Sequence, residues 1–154
     1  MSLIDEARAV LETAREDPQS ALNNGATLLE RANEHETIAT LRFAIGLAHR
    51  TLANGAESTE NLEAAATHAA SLDELRGQIL RSLAFNYAQA GDHKLADKTI
   101  VDSIGLLTGQ EQDLSRLQQA FMLLMRGEHR TALPVLSAAV EGFTESQDDD
   151  YLEL

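Results

Sequence analysis

Apolar positions recur three and four residues apart almost from the start of the chain. In "SLIDEARAVLETARED", Leu3, Ala7, Val10, Leu11 and Ala14 share one face at helical spacing. Asp17-Pro18 follows, a cap residue and then a proline at a first helical position. It opens a second helix carrying Ala21, Leu22, Leu28, Leu29 and Ala32. From there the pattern predicts helices over 36–54 and 58–71, 74–90 and 93–107, and 111–126 and 129–146. Glycine or a small polar cluster stands at each break. Connections this short make neighbouring helices antiparallel. There is no linker or low-complexity tract, so one domain over 1–154 is expected.

The helices repeat. "SLAFNYAQAGDHKLAD" has two helical halves split by Ala90-Gly91-Asp92, and Gly55, Gly91 and Gly127 stand 36 residues apart. Aligning these glycines puts Ala48, Ala84 and Ala120 at one position and Thr51, Tyr87 and Leu123 at the next helical step. Ala96 and Ala132 follow their glycines by five residues, with Ile100 and Leu136 four later. Small residues at fixed sites let two helices approach, and larger ones beside them fill the groove. In this register Glu60 takes the place of the shared alanine in the second copy, "NGAESTENL" reads as a lengthened turn, and the first copy aligns only through Ala21. The expected copies span 3–33, 36–71, 74–107 and 111–146. One more period puts a further helix at 149–154, so that "DDDYLEL" reads as an opening turn and the chain as part of a longer array. Asp148, Asp149 and Asp150 then serve as cap and first-turn residues.

Composition narrows the function more than the fold. Of 154 residues, 44% are hydrophobic but only 4% aromatic, so the core must be built mainly from alanine and leucine. The formal net charge of -13 makes nucleic acid and anionic membrane surfaces poor partners. The absence of cysteine excludes disulfides, thiolate metal sites and thiol nucleophiles. No apolar run approaches the ~20 residues of a membrane span, and "MSLIDEARAV" lacks the basic-then-apolar pattern of a signal peptide. A cytoplasmic protein is expected.

Ala84, Tyr87, Ala96 and Ile100 match the spacing of the tetratricopeptide repeat signature, which the chain resembles. Ala120, Leu123, Ala132 and Leu136 match it more loosely. The copies are 36 residues long rather than about 34, and Thr108 and Thr144 replace the closing proline. "RLQQAFMLLMRGEHRTALPVLSAAVEGF" is similar to helical-repeat regions that precede caspase-like CHAT domains in bacterial proteins, although no protease residues accompany it here. The resemblance implies a right-handed α-solenoid of about four antiparallel helix-turn-helix pairs, all-α, whose first helices line a concave peptide-binding face. Carried over residue by residue, that face comprises Arg42, Ile45, His49 and Leu52. It continues with Gln78, Arg81, Phe85 and Gln89, then Leu114, Leu117, Phe121, Leu124 and Met125. The Lys/Asn/Arg arrangement that clamps a terminal carboxylate in some members is not matched, since Ile45, Ser82 and Leu114 occupy key places.

Catalytic signals are lacking. None of the five histidines (His35, His49, His68, His93, His129) has the spacing of a two-histidine metal face on one helix. His93 and His129 read as solvated turn residues, and His49 as a groove residue aligned with Phe85 and Phe121. The carboxylates lie at solvated helix starts, and glycines come singly rather than in a phosphate-binding loop. No catalytic, metal or cofactor-binding residue is expected. The expected function is non-catalytic protein–protein interaction, as scaffold or regulatory sensor. Its binding residues are Arg42, Ile45, His49, Arg81, Phe85, Gln89, Leu117, Phe121 and Leu124. A side-by-side Arg42 and Arg81 favours an acidic peptide. The alternatives are a homodimer through the apolar C-terminal copy, or the regulatory repeat region of a larger enzyme of the CHAT type.

Overall fold

A computed structural model describes the backbone of residues 1–152 and the side chains through Thr144. The fold is all helical: α1 (Leu3–Thr13), α2 (Pro18–Arg31), α3 (His35–Thr51), α4 (Gly55–His68), α5 (Asp73–Gln89), α6 (His93–Leu106), α7 (Gly109–Met125) and α8 (His129–Leu152). No strand occurs among the described residues. Three starts follow directly from cap chemistry. The side chains of Ser2, Asp17 and Asp92 accept from the backbone N–H three residues on, and Pro18 takes the first helical position behind Asp17.

The helices pack consecutively. α3 lies on α4, α5 on α6 and α7 on α8, and α3, α5 and α7 each also lie on the helix before them. α1 also touches α3, and α5 touches α3 and α7, so first helices neighbour one another. The core is alanine-rich: Ala7, Ala14, Ala39, Ala44, Ala48, Ala65, Ala84, Ala96 and Ala120 are fully buried, together with Leu41, Leu62, Ile79 and Ile100. Small side chains let helices close up, and the few large ones fill what remains.

The internal register differs from the sequence reading in the second copy. His35 and Asp73, where α3 and α5 begin, are 38 residues apart, whereas Asp73 and Gly109, where α5 and α7 begin, are 36 apart. The left-handed turn residues tell the same story: they are Ala53 (φ 62°), Gly91 (φ 86°) and Gly127 (φ 81°). Gly55 is not the turn residue but the first residue of α4. The equivalent of Ala84 and Ala120 is therefore Gly46, not Ala48. A Cβ on Gly46 would lie 2.7 Å from Leu62 Cγ, and Leu62 is the counterpart of Ile100. Ser58, not Glu60, occupies the place of Ala96 and Ala132, and its hydroxyl donates to the Gly46 carbonyl at 2.7 Å. The lengthened turn expected at "NGAESTENL" is absent, since only Leu52–Asn54 separates α3 from α4.

At the other end α8 runs unbroken through Leu152, and Asp148–Asp150 lie within it. The fresh helix start expected at 149 is therefore not formed over 149–152. Residues 153–154 lie outside the described residues.

Candidate functional site

Three of the predicted binding residues move away from the predicted face because of the two-residue slip. Arg42 turns to its own hairpin and donates from Nη1 to Asn61 Oδ1 at 3.0 Å. Ile45 is core, 7% exposed, against Gly25 of α2. His49 is half-buried at the end of α3, its Nδ1 3.3 Å from Asn54 Nδ2. Two residues are 200° of helical rotation, so these side chains point to nearly the opposite side. The positions matching Gln78, Arg81, Phe85 and Gln89 are Thr40, Phe43, Leu47 and Thr51, the first three of them buried. Arg42 and Arg81 do not form a pair: Arg81 Nη2 meets Glu111 Oε2 at 2.7 Å, and its Nη1 donates to the Glu111 carbonyl at 3.0 Å.

Five of the other six border neighbouring recesses on α5 and α7, where the slip has no effect. Phe85 on α5 and Leu117, Phe121 and Leu124 on α7 line one recess of about 430 Å3 with Leu114, Gln118 and Leu136. Its walls are almost wholly apolar. Phe85 and Phe121 also wall a neighbouring recess of about 200 Å3 with Gln89, His93, Met122 and Met125. Phe121 is 51% exposed and Met125 71%, on a helix whose opposite side is core. Arg81 anchors the frame rather than the surface, since it ties α5 to the first turn of α7, and Gln118 Nε2 returns a bond to the Arg81 carbonyl at 2.7 Å.

Sequence reasoning missed Arg50. Phe85 and Gln89 border a third recess, of about 750 Å3, with Arg50, Ala53, Gly55, Ala56, Thr59, Asn86 and Ala90. The Arg50 guanidinium carbon lies 4.8 Å from the Phe85 ring centroid, within cation–π range. Nε donates to Asn86 Oδ1 at 3.0 Å and Nη2 to the Ser82 carbonyl at 2.6 Å. Asn86 is itself fixed, donating to Ser58 Oγ at 2.9 Å and Thr59 Oγ1 at 3.3 Å. Burial, and to a smaller degree the neighbouring Arg15, pull the Arg50 pKa down to about 10. The signal was present in the sequence: Arg50 aligns with Leu124 of the expected face once Ala53 rather than Gly55 is matched to Gly91 and Gly127.

Comparison with known proteins finds no family model that matches the chain, and no curated protein or solved structure that matches it significantly.

The histidines also hold a contact that linear spacing hides. His35 opens α3 and His68 closes α4, and their Nδ1 atoms lie 2.9 Å apart with ring centroids 5.2 Å apart. One ring donates to the other. His93 and His129 are exposed first residues of α6 and α8, as the spacing suggested. Among the described residues no group of three or more His, Asp or Glu converges as a metal site would need. No helix among them is long and apolar enough to cross a membrane.

Proposed function

We propose that the chain is a tetratricopeptide-like array of four helix pairs with right-handed twist. In this reading the α5–α7 surface is the concave face, and it takes a peptide or an extended segment of a partner protein without catalysis. One observation carries the proposal. Phe85, Leu114, Leu117, Phe121, Leu124 and Met125 form a continuous apolar stripe across two helices, recessed rather than flat, in a protein that is otherwise strongly acidic. Apolar side chains of this size left in water cost about 25 cal/mol per Å2 relative to a covered state, and aromatic anchors in a recess are the usual centre of a binding surface.

The test is a selection from a displayed random-peptide library on the full chain, with Phe121→Asp as the counter-selecting variant. Peptides that bind the natural sequence and lose affinity on Phe121→Asp support the reading. Failure to enrich any sequence, or equal binding to both proteins, refutes it. A second reading, a homodimer, draws on the same exposed Phe121 and Met125 together with Leu133 (58% exposed) and Val140 (52% exposed) on α8. Sedimentation over a concentration series decides it: a dimer that Leu133→Glu dissociates supports this reading, and a monomer throughout ends it.

A further inference from the structure

The recess beside Arg50 holds a desolvated cation without a counter-charge. The chain has 25 acidic against 12 basic side chains, and two other half-buried arginines are neutralised, whereas Arg42 and Arg76 bond to neutral oxygens outside this recess. Arg81 meets Glu111 at 2.7 Å, and Arg126 meets Asp97 at 2.9 Å and Glu128 at 2.7 Å. Among the described residues Arg50 has no carboxylate within 4.0 Å. Its guanidinium is held from behind by the Phe85 ring, and Nε and Nη2 are occupied by Asn86 and Ser82. Nη1 is the nitrogen left for an incoming acceptor. The recess has no acidic lining residue. The Thr59 hydroxyl accepts from Asn86 and keeps its own proton free to donate, and the exposed Gln89 is a further lining residue with an amide donor. Ala53, Ala56 and Ala90 leave the room unfilled. The first turn of α4 adds to this, since Asn54 provides no side-chain cap for the N–H groups behind Gly55 and Ala56.

From this geometry we infer that the Arg50 recess is a subsite for a carboxylate carried by the bound peptide, with Arg50 as charge partner and Thr59 and Gln89 as flanking donors. The inference rests on the peptide-binding reading above and adds the chemistry recognised. A carboxylate suits the recess because charge-assisted bonds are about twice as strong as neutral ones. A guanidinium already fixed in place also loses little side-chain entropy on binding. The carboxylate has two sources, an acidic side chain or a peptide C-terminus, and both present the same two oxygens.

Nuclear magnetic resonance on the 15N-labelled full chain separates them. The Arg50 Nε–H and Gln89 side-chain signals are followed while adding N-acetyl-glutamate amide (side-chain acid), N-acetyl-alanine (terminal acid), N-acetyl-glutamine amide (neutral) or inorganic phosphate, with ionic strength held constant by sodium chloride. Saturable shifts are expected with at least one acid, about tenfold weaker or absent with the neutral amide, lost in Arg50→Gln and kept in Arg42→Gln. The acid that saturates first names the source. Shifts that match those of sodium chloride, that persist in Arg50→Gln, or that saturate with phosphate alone overturn the inference. The chloride-matched comparison needs only the natural sequence, so it decides even if Arg50→Gln folds poorly. Peptides selected through Phe121 in the library experiment would survive such a failure, which separates loss of this subsite from loss of the peptide-binding reading.

Discussion

Gly46→Ala should destabilise the protein although the same change elsewhere in a helix stabilises it. Replacing a helix-interior glycine by alanine ordinarily gains roughly 0.5–1 kcal/mol from backbone entropy. At Gly46 the new Cβ would lie 2.7 Å from Leu62 Cγ, 2.8 Å from its Cδ2 and 3.3 Å from the Ser58 carbonyl oxygen. Leu62 is fully buried and the Ser58 contact is backbone, so neither can swing aside. Overpacking of this kind costs ~1–3 kcal/mol, which leaves a net loss of ~0.5–2 kcal/mol. In a chain of this size that lowers Tm by about 2–4 °C per kcal/mol. Gly105, also helical but with nothing within 4 Å of its added Cβ, is the control and should gain up to ~1 kcal/mol. Urea denaturation of the two variants and of a cycle with Leu62→Ala supplies the check. Leu62→Ala alone should lose ~2–5 kcal/mol. In its presence Gly46→Ala should turn from loss to gain, a coupling of ~1–2 kcal/mol. If Gly46→Ala stabilises as much as Gly105→Ala, or if the cycle is additive, Gly46 is not the close-approach residue of the second copy.

Ala53→Gly should raise stability by ~0.5–1 kcal/mol in the same denaturation assay, because Ala53 holds φ 62°, where a side chain costs ~1–2 kcal/mol and glycine does not. Asn86→Ala should lose ~1–3 kcal/mol, since it strips partners from Ser58, Thr59 and Arg50 at once in a buried setting. Gly142→Ala drives a Cβ into the buried carboxylate of Asp113 and should lose ~1–3 kcal/mol. Most of that loss should return when Asp113→Ala is added, and a cycle with no such recovery would refute the contact.

What the sequence made legible is what helical period controls. Eight helices and the start of another were expected and eight occur among the described residues, with the predicted cap at Asp17 in place. Their boundaries hold to within a few residues except at α8, where Thr144 and the acidic run at 148–150 read as an end and a new start but lie inside one helix. Acidic residues favour a helix start, yet nothing in "TESQDDDYL" breaks a helix already running: it holds neither glycine nor proline. The hydrogen bonds that join Ser58, Asn86 and Arg50 do not show in helical period, because they span 28 and 36 residues. The same holds for His35 and His68, 33 apart.

The facing of individual side chains was harder to read than the fold, for a geometric reason. Gly55, Gly91 and Gly127 are evenly spaced, and glycine is the expected residue where φ is positive, so the even spacing passed for the repeat. The second turn uses Ala53 instead, and Gly55 falls two places later as an ordinary helix start. A two-residue error scarcely alters which segments are helical, and it still leaves buried residues such as Ala48 inside, because α3 is buried on most of its circumference. It does rotate the assignment of α3 by 200°. Phe85, Phe121, Leu117, Leu124 and Gln89 escaped because α5 and α7 keep the 36-residue spacing, whereas Arg42, Ile45 and His49 exchanged places with Thr40, Phe43 and Leu47. The cation that α3 brings to Phe85 is Arg50, about two turns beyond Arg42 on the same helix. In a chain built of stacked helices the fold tolerates a register slip that the assignment of side chains to one face does not, so the turn residue of each copy, more than its glycine, fixes which side chains share a face.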